Sequence, residues 1–180
     1  MDSLQIAAKA YQKICENRYK YTFDNGASII VCFRPGNFCH LAGLRKFSDL
    51  REFQYENGKP IFSAIKIYKK ALAGDFDDYY LQTSHAYTQE AKERIECLAN
   101  LSKLLETKNA VYGFNPEIAP IDTSLKSSVI LFSDQGYNFY LLLGLAEDQE
   151  LYYPETFFLR FDDAYTRGQK LVSIEKIEKL

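Results

Sequence analysis

Tryptophan is absent from these 180 residues, methionine occurs once and histidine only twice. Five prolines and nine glycines are spread without a low-complexity tract, so nothing marks a linker, and no period of the solenoid kind recurs. One domain spanning residues 1–180 is expected, because a 47% hydrophobic and 15% aromatic chain of this length can bury a full core. No long apolar run follows a basic segment, and residues 1–17 read as a polar amphipathic helix, so neither a signal peptide nor a membrane span is expected and the cytoplasm is the default location. Cys15, Cys32, Cys39 and Cys97 lie too far apart for a CxxC motif, and with two histidines they complete no familiar zinc pattern. No metal and no cofactor is expected. Cys39 has two readings, a small buried thiol like the others or, at a helix start, a nucleophile of lowered pKa.

The net charge of -2 argues against a strongly basic, nonspecific nucleic-acid binder. Its distribution is uneven. Residues 1–70 hold 12 Lys/Arg against 6 Asp/Glu, and residues 71–180 hold 10 against 18. A local anionic ligand therefore suits the first part, although charges of this kind also simply solvate helix faces.

One histidine sits in that basic part, in Phe38-Cys39-His40-Leu41-Ala42-Gly43-Leu44-Arg45-Lys46. Pro35-Gly36 breaks the preceding strand and Asn37 is a good N-cap, so Phe38, Cys39 and His40 are predicted to open a helix whose first N–H groups attract anions. Gly43, one turn on, would leave room for a ligand beside the imidazole. The alternative is a hydrogen-bonded core histidine among Phe38, Leu41 and Leu44.

Around it the patterns alternate between helix and strand. Tyr19–Phe23 and Ser28–Phe33 flank Asp24-Asn25-Gly26 and read as a β-hairpin. The histidine helix is predicted to run to about Leu50. After a turn at residues 56–60, Ile61, Ile65, Tyr68 and Leu72 fall at helical spacing, and Gly74 stops that helix. Residues 88–106 read as one long helix with Ala91, Ile95, Leu98, Leu101 and Leu105 on one side; His85 just ahead reads as a surface or capping residue. Four short aromatic-rich strands follow, over residues 111–114, 127–132, 138–143 and from 151 onward, with turns at Asp134-Gln135-Gly136 and Glu147-Asp148-Gln149. An antiparallel meander and an α+β class are predicted, with the helices and N-terminal hairpin packed on a twisted antiparallel sheet whose other face is available for a ligand.

A strand over residues 151–161 would point Tyr153, Phe157, Leu159 and Phe161 one way, as core, and Thr156, Phe158 and Arg160 the other. The second set offers a hydroxyl, an aromatic plane and a guanidinium in a row, suited to binding a phosphate and stacking a base. An ordinary sheet face with a solvated arginine has the same spacing.

Taken together, Asn37–Leu44 after a hairpin, with Glu155-Thr156-Phe157-Phe158, Tyr165 and Gln169 near the C-terminus, resemble the phage-associated barnase/EndoU/colicin/RelE-like nucleases. The His-Leu-small-Gly-Leu signature is the stronger half. The other motif more often begins with serine, and Thr156 keeps the hydroxyl. The resemblance implies helices ahead of a twisted antiparallel sheet and a small, metal-independent RNA-cleaving enzyme carried by a phage or mobile element in a bacterial host. RNA cleavage of that type needs a base for the 2'-hydroxyl, an acid for the leaving 5'-oxygen and a cation for the phosphate. His40 is then the proton-transfer group and Arg160 the phosphate clamp, with Thr156 and Gln169 as hydrogen-bonding partners and Tyr165 as a second proton donor or stacking platform. Phe158, Arg45, Lys46 and Lys170 become RNA contacts.

Some small phage-type proteins to which the chain is similar act as anti-CRISPR factors that trim the guide RNA bound to a Cas nuclease. Cleavage only of Cas-bound RNA would mark that role, and indiscriminate cleavage a toxin-like RNase. The rival class is a non-enzymatic inhibitor that binds RNA or docks Glu147, Asp148, Glu150, Glu155, Asp162 and Asp163 on a basic partner; a nuclease-fold remnant kept as a regulator is a third.

Overall fold

Every second residue of Tyr19-Lys20-Tyr21-Thr22-Phe23 is buried, and so are residues 4, 7, 8, 11 and 14 of the first segment. Those two periods, two and about 3.6, account for the first strand and the first helix. The computed structural model describes residues 2–180 apart from 76, 109, 120–126, 134–137, 146–150 and 161. In chain order its elements are α1 (Ser3–Cys15), β1 (Arg18–Phe23), β2 (Ser28–Cys32), α2 (Phe38–Leu41), β3 (Tyr55–Glu56), β4 (Lys59–Pro60), α3 (Ala64–Ala73), α4 (Asp78–Leu81), α5 (Gln89–Leu98), α6 (Leu101–Glu106), β5 (Ala110–Gly113), β6 (Val129–Ser133), β7 (Asn138–Leu145), β8 (Tyr152–Arg160), β9 (Lys170–Val172) and β10 (Ile174–Lys179). The class is α+β. Contacts divide the chain into two compact units, Met1–Glu16 with Arg34–Ser102, and Asn17–Phe33 with Lys103–Leu180.

The first unit is helical. α1 is capped twice: Asp2 accepts from the Gln5 N–H at 3.0 Å, and the Asp78 carboxylate of α4 accepts from the Ser3 N–H at 2.9 Å and the Leu4 N–H at 3.2 Å. Its buried stripe packs on α3 and α5. Tyr11, Phe38 and Tyr68 form an aromatic triad with centroids 5.2 to 5.9 Å apart, and the Tyr11 hydroxyl donates to the Arg34 carbonyl at 3.0 Å. α3 begins after Ser63, which caps it, so Ile61 lies outside the helix; Ile67, Tyr68 and Ala71 are its buried residues and Ile65 is half exposed. Gly74, in the left-handed region, ends it. Residues 88–106 form two helices, α5 and α6, with Ala91, Ile95, Leu98, Leu101 and Leu105 all buried. Thr88 caps α5, its Oγ1 accepting from the Ala91 N–H at 3.2 Å. Thr88→Ala is expected to cost about 1 kcal/mol, read as a lowered urea midpoint with unchanged m-value.

The second unit holds one eight-stranded sheet in the order β10-β1-β2-β8-β7-β6-β5-β9. All neighbours pair antiparallel except β2 and β8, which run parallel. The turn residues at 134–136 and 147–149, and Phe161, lie outside the described residues. A bulge opposite Leu142 and Leu143 makes Glu155 an extra residue in β8, because Leu142 pairs with Thr156 but Leu143 with Pro154. Beyond the bulge the alternation inverts, so Pro154 shares the face of Phe157 and Tyr153 shares the face of Thr156 and Phe158. That reverses the expected placement of Tyr153.

The face carrying Phe158 is not bare. Ile130 and Tyr140 are fully buried there, with Phe114 beside them and Tyr112, Ala119, Phe158 and Tyr165 packed against them. The cover comes from the segment after β8. Residues 163–169 fold into successive turns, with Arg167 N–H donating to Asp163 at 2.8 Å and Gln169 N–H to Thr166 at 3.0 Å, and Tyr165 drops onto the sheet. Among the described residues no helix is long and apolar enough to cross a membrane.

Candidate functional site

His40 stands on a turn fixed by its neighbours. Phe38, Cys39 and Leu41 are buried while His40 is exposed, so the core-histidine alternative does not describe it. The helix here is four residues long, not the expected run to Leu50. Asn37 is itself helical, at φ -75° and ψ -24°, and closes the preceding 3₁₀ turn, with its Oδ1 accepting from the Arg34 N–H at 3.0 Å. The Phe38 N–H is taken by the Pro35 carbonyl. One turn of helix with its first donor engaged is no anion site. Gly43 ends α2 at φ +71°, a left-handed conformation open to glycine, and the chain continues through 3₁₀ turns at Leu44–Lys46 and Arg51–Phe53.

The space beside Gly43 is filled. A Cβ there would lie 3.2 Å from Arg94 Cδ. Arg94, from α5, sends its half-buried side chain across the glycine, donating from Nε to the Leu41 carbonyl at 2.8 Å and from Nη2 to the His40 carbonyl at 3.1 Å. Burial lowers the guanidinium pKa, with Glu90 opposing. Sequence reasoning missed Arg94. The available signal is its place beside Ile95 on the Ala91–Ile95–Leu98 stripe, where a charge needs a polar partner.

Arg45 and Lys46 are exposed, Lys46 lying 3.7 Å from Glu90. Cys39 is buried, donates to the Ala64 carbonyl at 3.1 Å, and has its thiol pushed up to about 12 by desolvation, so it is no thiolate nucleophile at neutral pH. His85 is exposed, its N–H donating to Asp49 at 2.8 Å.

In the second unit Phe158, Arg160 and Tyr165 come together. Phe158 stacks on Tyr140 with centroids 5.4 Å apart at 21°, and its ring meets Tyr165 at 4.8 Å. The Arg160 Cζ lies 5.7 Å from the Tyr165 centroid. The guanidinium also forks onto Asp162, Nε to Oδ1 at 3.0 Å and Nη2 to Oδ2 at 2.8 Å. These bonds hold the Asp162 carboxyl below the usual carboxylate range and raise the Arg160 pKa. Tyr140 donates its hydroxyl to the Asp162 carbonyl at 2.6 Å, fixing the same corner.

Thr156 is buried on that face. Gln169 is also buried, and its amide accepts from the Asn115 N–H at 2.8 Å and donates to the Asn115 carbonyl at 2.9 Å, clamping the turns after β8 to the segment after β5. Lys170 is exposed at the start of β9. Of the acidic run, Glu147, Asp148 and Glu150 lie outside the described residues. Glu155 accepts from the Ser127 hydroxyl, Asp162 holds Arg160, and Asp163 holds Arg167, so the described members are engaged within the chain. Among the described residues no three of His, Cys, Asp and Glu are grouped so as to hold a metal ion.

A family model described as phage-Barnase-EndoU-ColicinE5/D-RelE like nuclease 4 matches residues 3–177. The α+β architecture with its large, mostly antiparallel sheet is compatible with a nuclease fold of that type. No curated protein and no solved structure matches the chain.

Proposed function

This chain belongs to the phage-Barnase-EndoU-ColicinE5/D-RelE like nuclease 4 family, and from that premise we propose that it is a metal-independent endoribonuclease of a phage or mobile element. The observation that carries the reading is the exposure of His40 on a turn whose neighbours Phe38, Cys39 and Leu41 are buried. An imidazole so mounted reaches solvent and substrate while its backbone stays fixed, and an imidazole can both accept and donate a proton.

In the proposed reaction the imidazole takes the proton of a ribose 2'-hydroxyl, the 2'-oxygen attacks phosphorus, and the 5'-oxygen leaves with a proton, giving a 2',3'-cyclic phosphate. In the second unit Arg160 is the proposed phosphate ligand. Phe158 and Tyr165 supply aromatic faces for a base, with Tyr165 also a candidate proton donor. Thr156 and Gln169 are the proposed hydrogen-bonding partners, and Arg45, Lys46 and Lys170 outer phosphate contacts. DNA lacks the 2'-hydroxyl and cannot follow this route.

The test is cleavage of matched labelled RNA and DNA in EDTA. RNA cleaved with EDTA present and DNA left intact is the expected result. DNA cleavage, or loss of all activity in EDTA, overturns the ribonuclease or the metal-independent part respectively. We further propose the guide RNA of a Cas nuclease as the substrate, in an anti-CRISPR role. Guide RNA cleaved only when Cas-bound supports that role. Equal cleavage of every RNA marks a toxin-like RNase, and no cleavage at all returns the chain to the binding-protein class.

A further inference from the structure

A charged side chain on the apolar stripe of a helix is costly unless its donors are satisfied. Arg94 occupies such a place on α5, and what satisfies it is the end of α2, where it donates to the carbonyls of Leu41 and His40. Two features of the chain make that contact feasible. Gly43 turns the backbone away in the left-handed region, ending the helix so that no further α-helical turn follows these carbonyls. It also lacks the Cβ that would press on Arg94 Cδ, Nε and Cζ at 3.2, 3.4 and 3.7 Å. The guanidinium thus fits the position of a C-terminal cap, and one of its two carbonyls belongs to the histidine itself.

We propose that Arg94 is a positioning residue for His40, fixing the peptide that carries the imidazole so that the proton-transfer group points in one direction. The inference rests on the reading of His40 as the proton-transfer residue. His40 sits in a helix of a single turn, too short to hold its own geometry, and a planar fork holding two successive carbonyls constrains that turn more tightly than a single donor. A lysine at position 94 offers a point charge on a flexible stem, so it can meet one carbonyl and not the pair.

The test is steady-state RNA cleavage by the full chain as wild type, His40→Ala, Arg94→Met, Arg94→Lys and the double variant Arg94→Met/His40→Ala, with thermal unfolding run on each. Arg94→Met is expected to lower kcat about 10- to 100-fold with KM within about twofold, as misplacement of a reacting group does. Arg94→Lys is expected to recover part of kcat. The double variant is expected to be no slower than His40→Ala, because a residue that acts only by aiming the imidazole has nothing left to aim. A merely structural arginine would instead add its loss to that of His40→Ala. Folded Arg94→Met with wild-type kcat, or an additive double variant, overturns the inference while leaving His40 in place. Should Arg94→Met fail to fold, Arg94→Lys decides: kcat reduced at constant KM supports the role, and wild-type kcat overturns it. Full activity in His40→Ala overturns the underlying reading and this inference with it.

Discussion

His40→Ala is expected to lower RNA cleavage by about 10²–10⁴-fold, the range lost when a positioned proton-transfer group is removed. The same substitution is expected to leave stability within about 0.5 kcal/mol, because the imidazole is exposed while the residues beside it are buried. That separation of activity from stability makes the measurement decisive. Initial rates on a labelled RNA in EDTA, set beside a urea melt of the same preparation, give both numbers. A variant that keeps its melt and its rate excludes His40 from the chemistry.

Phe38→Ala is expected to do the reverse, costing about 3–5 kcal/mol of stability, as truncation of a fully buried phenylalanine does. Phe38 is 0% exposed and closes the triad with Tyr11 at 5.5 Å and Tyr68 at 5.2 Å. Aromatic pairs of this geometry add about 0.5–1.5 kcal/mol beyond the area they bury. Against a total of about 5–15 kcal/mol for a typical domain the loss is severe. Cleavage should fall only in proportion to the unfolded fraction, and return on cooling or in a stabilising osmolyte. A melt shifted by less than about 1 kcal/mol would mean that the triad carries little of the first unit's stability.

Comparing residues with elements shows where local pattern is informative. The amphipathic pattern of α1, the stop at Gly74 and strands β5 to β8 were all legible, because each is specified by residues within one element. The break between α5 and α6 was not, since Leu98, Leu101 and Leu105 carry a helical spacing straight across it. β10 hides for a related reason. Ile174 and Ile177 are three apart, as on a helix, yet both face the side of Phe23 and Tyr21, because a bulge at Glu175 absorbs the odd residue. The parallel joining of β2 to β8 is a long-range event that no window reveals.

The candidate site was legible in its residue types more than in its neighbourhoods. His40 reads as a histidine in the first turn of a helix, but that helix reads too long, because nothing in Ala42-Gly43-Leu44 distinguishes a tolerated helical glycine from one at φ +71°. Arg160 reads as a cation on an outward face, whereas its fork onto Asp162 follows from the turn after β8. The resemblance implies a hydrogen-bonding partner in Gln169; its amide is bonded on both sides to the Asn115 backbone.

The fork between Arg160 and Asp162 carries one more consequence. Any phosphate arriving at that guanidinium meets a rival anion tethered two residues away, which cannot diffuse off. A bare phosphate brings nothing but its charge to that contest. On the proposed reading, in which a nucleotide also sets a base against the rings of Phe158 and Tyr165, the tethered carboxylate would favour nucleic acid over inorganic anions at this guanidinium.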